Sequence, residues 1–150
     1  MENSKSFTQV IEETGCLAYT TRGVSMRPLL REGKDVVVIE KLKSHLKKYD
    51  TVLFIRENGQ YVLHRILKVM DDKCWIAGDN CISGEMVSNE QIIGLMTSIK
   101  RNGKVIKVTD WRYRLYVYLW CAAYPVRFFV LRLKLFVYRC ARFVKRKVIG

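Results

Sequence analysis

The sequence lacks several features that mark whole classes of protein. Its longest run without a charged residue, Leu115–Val126, has 12 residues, fewer than the roughly 20 that a helix needs to cross a bilayer. Residues 1–15 are polar and acidic, so we expect neither a secretory signal nor an N-terminal membrane anchor. The chain also has no βαβ alternation, internal repeat or glycine-rich phosphate loop, which argues against the nucleotide-binding α/β folds.

Metal-binding patterns are missing as well. Only two histidines accompany the five cysteines, and no two cysteines form a Cys-x-x-Cys pair. Such a set is a poor match for a zinc site, so we expect no metal and no cofactor. Because an odd number of cysteines cannot all pair within the chain, we interpret them as reduced thiols in a reducing compartment.

Positive charge is concentrated at one end of the chain. The sequence carries 27 Lys and Arg against 14 Asp and Glu. No acidic residue lies beyond Asp110, whereas 10 of the basic residues and 11 of the 17 aromatic residues do. The distribution predicts a nearly neutral domain over residues 1–110, followed by a cationic, aromatic tail over 111–150.

The pattern over the first 110 residues predicts a mainly antiparallel β domain. Apolar residues at helical spacing predict one short helix over 4–14. Asn58-Gly59 and Asn102-Gly103 are strong hairpin signals between strands, and Asp71-Asp72 marks a third tight turn. Short β-branched and apolar runs predict the strands Leu17–Thr21, Asp35–Glu40, Thr51–Arg56, Tyr61–Met70, Lys73–Ala77, Gln91–Lys100 and Val105–Val108.

The tail is predicted to form two helical pieces, 111–123 and 126–147, because Asp110 is a suitable N-cap and Pro125 interrupts the pattern. On the second piece, basic and apolar side chains fall on opposite arcs at about 100° per residue. This pattern is typical of a helix that lies in an anionic membrane interface. A helix that spans the bilayer and one that packs on the β domain or a partner are the alternatives. The membrane-binding residues are Arg127, Arg132, Lys134, Arg139 and Arg142 on the basic arc, and Phe129, Leu133 and Phe136 on the apolar arc.

Three short segments carry residues that suit catalysis. A serine acts as a nucleophile where the backbone leaves it accessible and a base lies within hydrogen-bond reach. Gly23 and Pro28 bracket Ser25 in a stretch where regular strand pairing is hard, and His64 on a predicted strand is a candidate base. Taken alone, His64 also reads as a core histidine, and Gly78–Asn80 reads as an ordinary Gly-Asp-Asn turn.

Together these segments resemble the successive motifs of the signal peptidase I family. The Ser-Met-x-Pro motif of that family is matched by Ser25–Pro28, and its Gly-Asp-Val-Val-like strand start by Tyr49–Val52. His64-Arg65 matches the strand that carries the base, and Gly78–Asn80 matches the Gly-Asp-Asn motif. The base of typical bacterial members is a lysine. With a histidine at this position, the chain resembles the branch of the family found in the endoplasmic reticulum, in archaea and in some Gram-positive bacteria. The resemblance spans about residues 17–100.

The resemblance implies a signal-peptidase-like fold and a serine endopeptidase that removes a signal or leader segment from a precursor. It implies Ser25 as the nucleophile, His64 as the general base, and an acid near the Gly-Asp-Asn motif that supports the histidine. Asp79 matches that acid, with Glu85 as the alternative, and we favour Asp79 because Glu85 follows a glycine in a flexible stretch. The oxyanion hole would be formed by the Ser25 backbone in the Gly23 region.

The chain departs from the family pattern in three places. Gly23 stands where many bacterial members have a serine that helps to bind the oxyanion, and the Gly-Asp of the next strand is split as Gly33-Lys34-Asp35. We also expect no N-terminal anchor of the usual kind. We therefore expect association with a membrane through the tail, with the cytoplasmic face favoured over the outside, and a precursor peptide or preprotein as partner.

Other function classes fit the sequence less well. Self-cleaving repressors share the implied fold, but they carry an N-terminal DNA-binding domain and a lysine base, and with 24 residues before Ser25 and a histidine at position 64 we expect neither here. A nucleic-acid-binding module is suggested by the net charge of +13, but the charge lies on an apolar helix rather than along a basic stripe. A catalytically inactive module that binds through its basic tail is the remaining alternative.

Overall fold

The computed structural model describes residues 5–149, without the side chains of residues 127, 131, 134, 140, 141 and 143–149. It contains three α-helices, eight strands and a short 3-10 helix over Asn89–Gln91. In chain order the elements are α1 (Phe7–Thr14), β1 (Cys16–Thr20), β2 (Val36–Glu40), β3 (Thr51–Ile55), β4 (Tyr61–Val69), β5 (Lys73–Ala77), β6 (Glu85–Ser88), β7 (Ile92–Arg101), β8 (Lys104–Lys107), α2 (Trp111–Ala122) and α3 (Tyr124–Ile149).

The strands form one antiparallel sheet in the order β1-β2-β7-β3-β4-β5-β6, with β8 paired to β7. The mainly antiparallel β fold expected from the sequence is therefore confirmed. In the hairpin between β7 and β8, Asn102 and Gly103 have φ values of 49° and 75°. An Asn-Gly pair tolerates this left-handed backbone at little cost, which is why it directs the chain back on itself here.

The sequence reading missed one strand, β6. Its four residues include the charged Glu85 and the exposed Met86, so too little apolar alternation remains to mark a strand. It pairs with β5, and Ile76 lies opposite Glu85. The flexible stretch expected around Glu85 is therefore wrong, because that residue begins an ordered edge strand.

The sheet curls so that β1 and β4 face each other although three strands separate them in the sheet order. The Phe7 ring of α1 lies 5.0 Å from the Tyr19 ring of β1 and 4.9 Å from the Tyr61 ring of β4. One aromatic side chain thus joins both walls of the curl. A capping box between Ser6 and Gln9 fixes the start of α1 and so places Phe7.

The tail begins at Trp111 as expected, although the Asp110 side chain makes no capping hydrogen bond and accepts one from the Lys107 N–H instead. It then differs from the expectation at the break between the two helices. Helix α2 packs on the β domain, where Tyr113, Val117 and Cys121 enter the main hydrophobic core. Helix α3 starts at Tyr124, so Pro125 lies in its first turn, where a proline is tolerated, and only Ala123 separates the two helices. No helix within residues 5–149 combines the length and the apolar character that crossing a membrane requires.

Candidate active site

Ser25 lies on the loop between β1 and β2, in a stretch of tight turns. The loop is anchored to the β domain because Met26, Leu29 and Leu30 are buried in the main core. Gly23 adopts a φ of 89° at its start, a conformation that L-residues rarely adopt. Ser25 is consequently presented at the surface of a well-anchored loop and remains partly accessible.

A buried carboxylate fixes the far end of this loop. Asp35 is fully buried and accepts hydrogen bonds from the backbone and side chain of Arg31 and from the side chain of Arg101. Burial alone would raise the pKa of Asp35, but these hydrogen bonds outweigh it and hold the pKa well below its usual range. Arg101 also donates to the carbonyl oxygen of Leu29, so β7 supports the Ser25 loop directly.

His64 lies on β4 and meets the Ser25 loop through Gly78. Because Arg65 pairs with Ala77, the next residue of the chain, Gly78, lies beside His64. A Cβ atom placed on Gly78 would lie 2.7 Å from the carbonyl oxygen of Ser25 and 3.1 Å from His64 Nε2. These two atoms thus flank the same α-carbon, and Asn80 N–H donates to the Ser25 carbonyl oxygen at 2.7 Å. The structure thus places the Ser25 backbone and the His64 ring beside the same residue, Gly78.

Glu85 faces the other nitrogen of His64. Its Oε1 atom lies 3.6 Å from Nδ1, beyond hydrogen-bond range, and Nδ1 is buried with no hydrogen-bond partner among the described residues. Burial lowers the pKa of His64 from 6.5, with the carboxylate of Glu85 acting in the opposite direction. The histidine is therefore neutral at physiological pH, the state that a general base needs.

A bidentate ion pair holds Glu85 in position. Arg56 donates to both of its carboxylate oxygens, at 2.8 and 2.5 Å. These hydrogen bonds lower the pKa of Glu85, so the carboxylate is charged at neutral pH. Sequence reasoning missed Arg56, which lies just past the end of β3 and carries no local motif.

The geometry favours Glu85 over Asp79 as the acid beside the histidine, against the order expected from the sequence. Asp79 is buried and accepts a hydrogen bond on each carboxylate oxygen from the guanidinium of Arg65, both at 2.8 Å. A carboxylate held in this way is occupied by its arginine, which is itself fully buried. Asp79 thus stabilises the Gly78–Asn80 turn through its ion pair with Arg65, whereas Glu85 lies beside Nδ1 of His64.

Helix α2 fastens the same turn from outside. Trp120 Nε1 donates to the carbonyl oxygen of Asp79 at 3.0 Å, and Tyr116 Oη donates to its carboxylate at 3.3 Å. The two rings stack with their centroids 5.8 Å apart. The turn that touches both Ser25 and His64 is therefore tied to β4 on one side and to α2 on the other. The sequence gives no signal for these ties, since Tyr116 and Trp120 are two of many aromatic residues in the tail.

The backbone amides expected to form an oxyanion hole differ in whether they already have an acceptor. The Gly23 N–H donates to Glu32 Oε1 at 2.7 Å, so that amide is already used. The Ser25 N–H has no acceptor among the described residues. Thr21 Oγ1 is also unpartnered among those residues, but it is shielded from solvent. Both residues line the same groove, and of the two groups the Ser25 N–H is the candidate to bind a carbonyl oxygen.

A groove of about 850 Å³ runs over these residues. It is bordered by β1, the Ser25 loop, β4 and the Asn80-Cys81 segment, and Phe7 lies among its lining residues. Its volume falls in the range of about 300–1,000 Å³ that is usual for ligand sites. A peptide segment in this groove would contact Ser25 and His64 at once.

The residues expected to bind a membrane lie away from the groove, on α3. Arg132, Arg139 and Arg142 are exposed, as are Phe129, Leu133 and Phe136. The side chains of Arg127 and Lys134 lie outside the described residues. The apolar arc is thus not buried against residues 1–110.

No protein-family model matches this chain, and a search of curated proteins also finds no match.

Proposed function

We propose that the protein is a serine endopeptidase in which Ser25 is the nucleophile, His64 the general base and Glu85 the acid that supports the histidine. The observation that carries the proposal is the meeting of Ser25 and His64 at Gly78, on the border of one groove. The neutral, buried imidazole with a carboxylate beside its second nitrogen adds to it. The resemblance to signal peptidase I supplies the reaction class.

In the proposed reaction, Ser25 Oγ attacks the carbonyl carbon of the scissile peptide bond while His64 Nε2 takes the hydroxyl proton. The positive imidazolium that forms is stabilised by Glu85, and the 3.6 Å contact tightens as Nδ1–H becomes a charged donor. His64 then gives the proton to the leaving amine nitrogen. A water molecule, activated by the same histidine, hydrolyses the acyl-enzyme and frees Ser25.

The substrate proposed is a precursor peptide or preprotein that loses its signal or leader segment. The curled antiparallel sheet agrees with the signal-peptidase-like fold that the resemblance implies. Anchoring at the cytoplasmic face of a membrane is the proposed location. A catalytically inactive module is the opposing interpretation, and the same experiment separates the two.

The test uses the full chain with a proteome-derived peptide library, and mass spectrometry identifies the new termini. We expect the wild type to cut the library and Ser25→Ala and His64→Ala to reduce kcat/KM by a factor of at least about 1,000. Ser44→Ala and His45→Ala are matched controls on the loop between β2 and β3, where both side chains are exposed. Circular dichroism verifies that all four variants are folded.

Cleavage that survives in both site variants would place the active site elsewhere. A wild type that cuts nothing in the library, while remaining folded, would favour the inactive module instead.

A further inference from the structure

We infer that one apolar surface, running through both α2 and α3, docks the protein on an anionic lipid surface. We name it the outer stripe. Its members are 50–72% exposed apolar or aromatic side chains: Trp111, Leu115, Tyr118, Val126, Phe129, Leu133 and Phe136. Exposed apolar surface of this extent is uncommon on a soluble monomer and marks a site of interaction.

Helix α2 is apolar on two faces, which the sequence pattern alone conceals. Tyr113, Val117 and Cys121 lie four residues apart and are buried in the main core. Leu115 and Tyr118 lie on the opposite side, with 50% and 68% of their surface exposed. The apolar side chains of the inner face are buried against the β domain. Those of the outer face are exposed, so a second apolar partner is needed to cover them. The membrane-binding residues named from the sequence all lie on α3, and the exposed side chains of α2 add to them.

The members of the outer stripe share one spacing on both helices. They follow one another at intervals of three or four residues, with exposed Ala122 between Tyr118 and Val126. Spacing of three and four residues selects one side of a helix. Ala123, the one residue between α2 and α3, has φ −77° and ψ 2°, and this ψ lies outside the helical range, so α2 ends there. At 1.5 Å per residue the stripe covers about 17 Å of α2 and about 15 Å of α3.

Charge decides which partner covers the stripe. Residues 111–150 contain 10 basic residues and no acidic one, and Arg132, Arg139 and Arg142 are exposed on α3. Two copies of the chain meeting through this surface would bring these like charges together. An anionic lipid surface instead receives the apolar side chains and attracts the cations beside them. Trp111 and Tyr118 are of the residue types that favour the membrane–water boundary.

The inference rests on the membrane anchoring proposed above and goes beyond it, because it adds α2 to the docking surface and so says where the groove is held. The inner side of α2 is tied to the Asp79 turn through Trp120. With the outer side of α2 on lipid, that turn lies about one helix diameter, roughly 10–12 Å, from the surface.

The experiment measures sedimentation of the full-chain protein with vesicles of pure phosphatidylcholine and of equal parts phosphatidylcholine and phosphatidylglycerol. We expect binding to the anionic vesicles only, and weaker binding at high salt. Leu115→Glu on α2 and Phe129→Glu on α3 should each weaken it roughly tenfold or more. Arg139→Glu with Arg142→Glu should weaken it by about thirtyfold or more. The matched control is Val105→Glu on β8, which changes the same charge at a 53% exposed apolar residue and should have the smallest effect.

Several results would overturn the inference. Equal binding to neutral vesicles would remove the role of anionic lipid, and normal binding by Leu115→Glu would confine the surface to α3. A lipid-free dimer that Leu115→Glu dissociates would make a second copy the occupant. Resistance to extraction by alkaline carbonate would mean that the helix spans. Ser25→Ala should bind vesicles as the wild type does, so this test and the peptidase test fail independently.

Discussion

Replacing Gly78 by alanine should separate Ser25 from His64 with the smallest possible change. The new methyl group would lie 2.7 Å from the Ser25 carbonyl oxygen, 2.7 Å from Cys81 Sγ and 3.1 Å from His64 Nε2. An ordinary carbon–oxygen contact is about 3.3 Å or longer, so the Ser25 loop and the turn must separate by roughly 0.6 Å. Gly78 is not among the glycines with positive φ, so the backbone itself accepts alanine.

A displacement of this size should have a small effect on the stability of the fold and a large effect on the rate of the proposed reaction. Overpacking of this kind costs about 1–3 kcal/mol of the free energy of unfolding. A misplacement approaching 1 Å between reacting groups can cost about 100-fold in rate. We therefore expect kcat/KM to fall about 10- to 100-fold, mainly through kcat, as measured with a peptide identified from the library. Urea unfolding gives the stability of the same sample.

The control for crowding is Gly94→Ala on β7. Its methyl group would lie 2.5 Å from Ile39 Cγ2 and 2.8 Å from the Glu40 carbonyl oxygen. It should lose similar stability and keep near-normal kcat/KM. Adding Cys81→Ala to Gly78→Ala relieves only the sulphur contact, so recovery should be partial. A folded Gly78→Ala protein that cleaves at the wild-type rate would refute the proposed meeting of Ser25 and His64.

Two further predictions concern the carboxylates of the site. Because Glu85 raises the pKa of His64, Glu85→Gln should lower it further. Activity rises as His64 loses its proton, so the rising limb of the kcat/KM–pH profile, which already lies below pH 6.5, should move to lower pH. The plateau value of kcat should fall roughly tenfold or more. The control is Glu90→Gln, at an exposed residue. If the rising limb of the profile does not move in Glu85→Gln, Glu85 is excluded as the supporting acid. Asp79→Asn leaves the buried Arg65 without its charge partner and should cost about 3–5 kcal/mol in urea unfolding. Glu13→Gln, in the exposed pair with Lys5, should cost about 1 kcal/mol or less, and equal losses in the two variants would contradict the structural role of Asp79.

The strands could be predicted from the sequence where alternation and turn chemistry agree. β5 runs over Lys73–Ala77 as expected, and most other strand ends are within a residue or two. The backbone conformation of an Asn-Gly turn depends on the two turn residues themselves, so a hairpin at such a turn can be predicted from the local sequence. β6 was missed because Glu85 and Met86 interrupt its apolar pattern, and its pairing with β5 is decided by the sheet rather than by its own residues.

The proposed nucleophile and base could be nominated from the sequence because each lies in a recognisable motif. The carboxylate that lies beside His64 could not be chosen from the sequence, because it depends on which arginine reaches which carboxylate. Arg65 reaches Asp79 only through the register of β4 and β5, and Arg56 reaches Glu85 only through the unpredicted β6. Such pairings are long-range in the chain, and no local pattern reports them. The outer face of α2 was hidden for a related reason, since a helix apolar on both faces shows no periodic contrast.

The ties between α2 and the Asp79 turn also set an order in time. Ribosomal synthesis proceeds from the N-terminus at about 5–20 residues per second, so Trp120 is made roughly 2–8 s after Asn80. Ser25, His64, Asp79 and Glu85 are all made earlier than the helix that fastens their turn. A nascent chain that has completed β8 thus contains every proposed catalytic side chain but does not yet have the hydrogen bonds between α2 and the Asp79 turn. Competence to cut would come late in translation, when α2 has closed over the turn.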